Sequence, residues 1–227
     1  QFEKYAWQGT VTLTFDMDES ITVGACCDNL TVTDAIPEWY WIATDGSDDT
    51  GDGHYTTPWK TLAYACTQVS TGETINMKAG TYTITSQIDL PVGISIKGQG
   101  ATTIITSNTT LDQIILARST SEGVNGNQTI SYIRFDGNST TAKRAIVVNA
   151  RSNVQIHHCS FVNFLDNAVR MTGQTVAYNG EPTIYATGNR FYSNSITDCA
   201  KDTYSAPNYN ATGGLEIAGQ SGMLIYD

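Results

Sequence analysis

The chain has 227 residues, 40% of them hydrophobic and only 15% charged, with a formal net charge of −10 and a pI near 4.6. That is enough apolar matter for a sizeable core, and the acidic balance argues against nucleic acid and anionic membrane surfaces as partners. No apolar run approaches the roughly 20 residues that cross a bilayer, so membrane insertion is not expected, and no charged-then-apolar secretion signal opens the chain.

Ser, Thr, Asn and Gly are abundant, a composition common in β-rich extracellular proteins. The five cysteines, Cys26, Cys27, Cys66, Cys159 and Cys199, form no Cys-x-x-Cys pair of the kind that binds zinc. Cys66 and Cys159 fall where core residues belong and are expected as buried thiols. Asn-x-Ser/Thr sequons at Asn29, Asn108, Asn127, Asn138 and Asn210 suit glycosylated surface loops of a secreted or cell-surface protein.

In chain order, residues 1–38 read as a small β segment. Val11 to Phe15 and Ile21 to Val23 alternate in the β manner around an acidic turn, which predicts a hairpin. It is either the end of a preceding β-sandwich or a strand pair covering the entrance of the next unit, residues 39–227. There Tyr40 to Thr44 reads as a strand and leads into an acidic, glycine-rich loop. Thr57 then stands as a helix N-cap and Pro58 at the first helical position, with Trp59, Leu62, Cys66 and Val69 at helical spacing before Gly72. Thr74 to Lys78 is a strand, and Ala79-Gly80-Thr81-Tyr82 turns the chain into another.

This opening resembles that of many proteins of the pectate-lyase-like superfamily. The resemblance implies an all-β fold, a right-handed parallel β-helix whose first coil is covered by the short helix. Such a cap keeps strand edges and an apolar core from water. The rest of the unit holds short strands consistent with stacked coils. Ile130 to Phe135, Ile156 to Phe161 and Ala186 to Phe191 align, which predicts that Phe135, Phe161 and Phe191 stack along one axis, with Asn138, Asn163 and Asn194 shortly after each. The sequence stops at Asp227 just after an apolar strand and begins at Gln1. We therefore expect a segment of a longer polypeptide, or an end that associates with another copy or further domains.

The loop from Asp45 to Gly53 carries four carboxylates, Asp45, Asp48, Asp49 and Asp52. They suit either calcium, which takes oxygen ligands from flexible loops, or a solvated turn stabilised by aspartate side chains. Lyases of the resembled superfamily abstract a proton beside a uronate carboxylate that calcium or basic side chains neutralise. On that implication Asp166 and Arg170 are the catalytic candidates, and Lys143, Arg144, Arg151 and Arg190 are nearby cations; the plain alternative is that each faces solvent. His157 and His158 are adjacent in a strand, so they are expected on opposite faces. The residue set of polygalacturonases is not found, which argues against pectin hydrolysis. Tyr178, Tyr185, Tyr192, Tyr204 and Tyr209 are candidates for stacking on sugar rings, or ordinary sheet surface.

Two functions fit these residues: an extracellular β-helix that binds or cleaves polysaccharide, with a lyase on acidic glycans as the enzymatic form, and a structural or adhesive solenoid of a surface, filament or phage tail protein. Fold alone does not choose between them.

Overall fold

The computed structural model describes residues 39–120, 124–139, 141–175, 182–200 and 213–227. The hairpin expected within residues 11–36 lies outside them. Strand β1 (Trp39–Ile42) and helix α1 (Leu62–Gln68) come first. They are followed by β2 (Thr74–Met77), β3 (Gly80–Ile84), β4 (Ile88–Asp89), β5 (Ser95–Ser107), β6 (Leu111–Arg118), β7 (Asn125–Asp136), β8 (Ala142–Asn149), β9 (Ser152–His157), β10 (Ser160–Val162) and β11 (Val169–Thr172). The remaining strands are β12 (Gln174–Thr175), β13 (Pro182–Ile184), β14 (Ala186–Thr187), β15 (Arg190–Tyr192), β16 (Ser195–Thr197), β17 (Leu215–Ala218), β18 (Gln220–Ser221) and β19 (Leu224–Tyr226).

Apart from α1, the described residues are all-β, and every pairing among them is parallel except β12 with β13. One sheet runs β1-β2-β5-β7-β9-β15-β19, with β3 on β5 and β10 pairing β7 and β16; a second runs β17-β11-β8-β6-β4. From β4 to β9 the chain alternates between the two sheets, and after β10, which stays on the larger one, β11 returns to the smaller. Parallel partners are therefore supplied by segments far apart in sequence, with whole strands of the other sheet between them.

The register places like on like. Ile75 pairs with Ile96, Ile96 with Ile130, Ile130 with Ile156, and Ile156 with Phe191. On the other sheet Ile88, Ile115, Ile146, Val169 and Leu215 form a second column. Ile75, Ile96, Ile130, Ile156, Ile115, Ile146 and Val169 are all fully buried. At about 1.5–3 kcal/mol for each such side chain, these columns supply the main drive for the layers to stack.

Phe135 pairs with Phe161, and their rings stack at 5.2 Å with planes 10° apart. Phe191 also stacks on Phe161, at 6.2 Å and 26°, but its backbone partner is Ile156, not Phe161. The alignment of residues 186–191 with 156–161 is thus corrected. Ile130 to Ile156 is a step of 26, while Ile156 to Phe191 is a step of 35. The longer layer contains the antiparallel pair β12–β13, and that insertion moves the register.

Helix α1 starts later than the Thr57 and Pro58 signals indicate. Trp59 is extended and bridges Ile42. Its N–H donates to Trp41 O at 3.0 Å, and its carbonyl accepts from Ala43 N at 2.8 Å. Two backbone bonds to β1 outweigh a first helical turn. Buried against Tyr40 with ring centroids 5.1 Å apart, Trp59 covers the β1 edge that β2 leaves open, as an exposed strand edge requires. The cap is Thr61, whose Oγ1 accepts from Tyr64 N at 3.2 Å. Leu62, Ala65 and Cys66 face the core.

Bends in the larger sheet use residues with positive φ: Tyr132 (57°), His158 (52°) and Ser193 (51°). Each follows one member of a register column, Ser131, His157 and Tyr192. A left-handed residue breaks the pleat and costs about 1–2 kcal/mol when it has a Cβ. Asn194 secures one bend, its Oδ1 accepting from Cys159 N at 2.9 Å and its Nδ2 donating to Ile156 O at 2.8 Å.

Candidate functional site

On the solvent side of the five-stranded sheet, strands β6, β8, β11 and β17 put a second set of side chains in register. Leu116, Val147, Arg170 and Glu216 form one column; Arg118, Asn149, Thr172 and Ala218 form the next. Between them lies a groove of about 200 Å³. Leu116, Val147 and Ala218 give it an apolar floor, and Gln113, Asn149 and Thr172 supply amide and hydroxyl groups. Arg118, Arg144 and Arg170 stand around it, and among the described residues no carboxylate lines it. In a chain with net charge −10 this brings three arginines to one concave place.

Two of the three arginines are held by acids outside the lining. Arg144 donates from Nη2 to Asp166 Oδ2 and from Nε to Asn167 Oδ1 at 3.0 Å, and the side chains of Arg144 and Asp166 are each 18% exposed. Arg170 Nε lies 3.1 Å from Glu216 Oε1, its register partner on β17. Arg118 is exposed, and its guanidinium makes no hydrogen bond or ion pair among the described residues. The two catalytic candidates, Asp166 and Arg170, are thus each paired with a different residue. A guanidinium paired with a carboxylate is a poor proton acceptor.

Asp45, Asp48, Asp49 and Asp52 do not converge. Asp48 accepts from Lys60 N (2.8 Å), Thr61 N (3.0 Å) and Thr61 Oγ1 (2.7 Å), which ties the loop to the start of α1. Partial burial pushes its pKa up, but the hydrogen bonds from Thr61 and Lys60 together outweigh that and leave it below the usual carboxylate range. Asp52 accepts from His54 N at 2.9 Å and from Thr57 Oγ1, and Asp45 and Asp49 are exposed. Among the described residues no group of three or more His, Cys, Asp and Glu is placed to hold a metal ion.

His157 and His158 are not on opposite faces. Their Nδ1 atoms are 2.8 Å apart, because the positive φ of His158 interrupts the strand alternation. Tyr192 stacks on His157 (4.7 Å, 16°) and on Tyr226 (4.7 Å, 6°), so both its ring faces are covered and a sugar would meet only its edge. Tyr185 is 43% exposed. Tyr178, Tyr204 and Tyr209 lie outside the described residues, as do Cys26, Cys27 and the sequons at Asn29 and Asn210. Asn108, Asn127 and Asn138 are exposed.

A family model described as adenovirus EB1 55K protein / large t-antigen matches residues 74–181, less than half of the chain. No curated protein matches. Among solved structures, ORF18 of Geobacillus virus E2 is similar at 14% identity and a TM-score of 0.43, covering 70% of this chain. The chain spans 42% of that protein's length.

Arg118 carries only a faint signal in the sequence, in that Arg118, Arg144 and Arg170 recur at equal steps of 26 residues. None is a register partner of another, however: Arg118 pairs with Asn149, Arg144 with Gln113, and Arg170 with Val147 and Glu216.

Proposed function

We propose that the chain is a right-handed parallel β-helix of the pectate-lyase-like kind, secreted or surface-exposed, that binds an acidic polysaccharide in the arginine-rimmed groove. The alternation of the chain between two parallel sheets and the stacked Ile and Phe columns support the β-helix. The observation that carries the function is the set of three arginines around a groove that no carboxylate of the described residues lines. An apolar floor with amides and hydroxyls suits the two faces of a sugar ring, and guanidinium forks match carboxylates. Binding is preferred to cleavage because Asp166 and Arg170 are already engaged in separate ion pairs.

A structural or adhesive role is the second reading. It is favoured by the exposed apolar side chains of Ile217, Leu224, Ile225 and Tyr226 on β17 and β19, strands that end their sheets among the described residues.

Affinity electrophoresis through gels containing polygalacturonate, alginate or neutral dextran tests the first reading. Retardation in the acidic gels alone is expected, reduced in Arg118→Ala and Arg170→Ala and weakened by salt. A parallel assay for unsaturated products, with calcium and with chelator, is expected to stay flat. Equal mobility in all three gels would overturn the polysaccharide reading and favour the structural one.

A further inference from the structure

Arg151 comes just after β8 at the corner where the chain leaves the five-stranded sheet, and it is 3% exposed. Its guanidinium donates from Nε to Ser119 Oγ (3.1 Å), from Nη1 to Leu90 O (2.7 Å) and Gln128 Oε1 (3.0 Å), and from Nη2 to Arg118 O. Every acceptor is neutral. Gln128 is itself fixed, donating to Pro91 O at 2.6 Å and Ile94 O at 2.7 Å. Burial lowers the Arg151 pKa, and no acid among the described residues opposes that shift. Buried cations are ordinarily paired, because desolvation without a counter-charge is costly. Arg151 has hydrogen bonds but no counter-charge among the described residues.

Arg151 is also one of the residues lining an open cleft of about 610 Å³, and Arg118, Ser119 and Thr120 stand in its wall. This cleft shares Leu116 and Arg118 with the groove. Arg118, exposed and with a guanidinium unengaged among the described residues, thus lines the same cleft as the buried Arg151. Asp89 also lines it; its Oδ1 accepts from Gln87 Nε2 at 2.6 Å, and it forms no ion pair with either arginine among the described residues.

We propose that this cleft is an oxyanion subsite, in which a carboxylate, sulfate or phosphate group is held between the guanidiniums of Arg118 and Arg151. It rests on the polysaccharide reading only for the identity of the molecule that carries the group. Arg151 supplies a rigid cation fixed at four acceptors, Arg118 supplies a movable one, and Ser119 and Thr120 supply hydroxyls.

The test monitors the Nε–Hε signal of Arg151 by NMR in the full chain, titrated with sodium sulfate, sodium phosphate, galacturonate and glucose, with sodium chloride at matched ionic strength. A saturable shift with the oxyanions, absent with glucose and chloride, is expected. Arg118→Ala, at an exposed position that leaves the corner bonds in place, is expected to weaken it at least tenfold. Tighter saturation by sulfate or phosphate assigns a free or sulfated ligand, and tighter saturation by galacturonate assigns a uronate. An unmoved Arg151 signal, or a shift that chloride reproduces, overturns the subsite. Acidic gels that retard the protein while this signal stays still would overturn the subsite and leave the polysaccharide reading standing. A sulfate-induced shift without retardation would do the reverse.

Discussion

Phe161 lies between two other phenylalanines of the core, its ring 5.2 Å from that of Phe135 and 6.2 Å from that of Phe191. It is fully buried and joins three successive layers of the larger sheet. Phe161→Ala is expected to lower stability by about 3–5 kcal/mol, as large-to-small changes of a buried aromatic do, and Phe161→Leu by clearly less. Urea denaturation of the two variants measures both.

Asp48 is expected to matter through α1. Asp48→Ala removes three acceptor contacts to Lys60 and Thr61 and is expected to cost about 1–2 kcal/mol, the range of a lost N-cap. Because its folded pKa is depressed below 3.8, its contribution is present above that value and is lost as pH falls through the folded pKa. Thermal melts of the wild type and variant are expected to converge in strong acid.

Asp166 and Arg170 are predicted to differ in weight. Asp166→Ala strands Arg144, whose side chain is 18% exposed, and is expected to cost about 1–3 kcal/mol. Arg170→Ala breaks a pair whose side chains are 40% and 35% exposed and is expected to change stability by about 1 kcal/mol or less. Equal losses in denaturation curves would contradict this ordering.

His157 is held below its ordinary pKa of 6.5 by burial, then by the charges of His158 and Lys97. The unfolded chain therefore binds the proton more readily, and stability falls as pH drops from 6.5 to the folded value, with no further change from this group below it. His158→Ala and Lys97→Ala are each expected to raise the His157 midpoint in an NMR titration. A midpoint unchanged in both would contradict the assigned causes.

Burial pushes the thiols of Cys66 and Cys159 up to about 12, so almost no thiolate is present near pH 8. Neither is expected to react with iodoacetamide in the native protein, and both are expected to react in denaturant. Mass spectrometry of the labelled peptides decides it.

Much of the architecture is legible in the sequence because inward and outward side chains alternate with a period of two. Ile130 to Phe135 and Ile156 to Phe161 align because one layer separates them with no insertion, and the register confirms Phe135 on Phe161. Phe191 escapes that alignment because the inserted β12–β13 pair has no signature in the phenylalanine spacing. Thr57 and Pro58 make a locally valid helix start, which loses to the bonds between Trp59 and β1. The pleat rule assigns His157 and His158 to opposite faces, and no local pattern marks His158 as a left-handed residue.

By itself the sequence determined that short apolar strands would form, which side chains would turn inward, and that Cys66 and Cys159 would be buried, since these result from local alternation and the removal of apolar surface from water. Tertiary structure alone decided which charges meet: Arg144 with Asp166, Arg170 with Glu216, and Arg151 with no acid among the described residues. The reason is physical. Neighbours across layers depend on the length of every intervening loop and on the left-handed bends, so a shift of one residue in either changes every cross-strand partner.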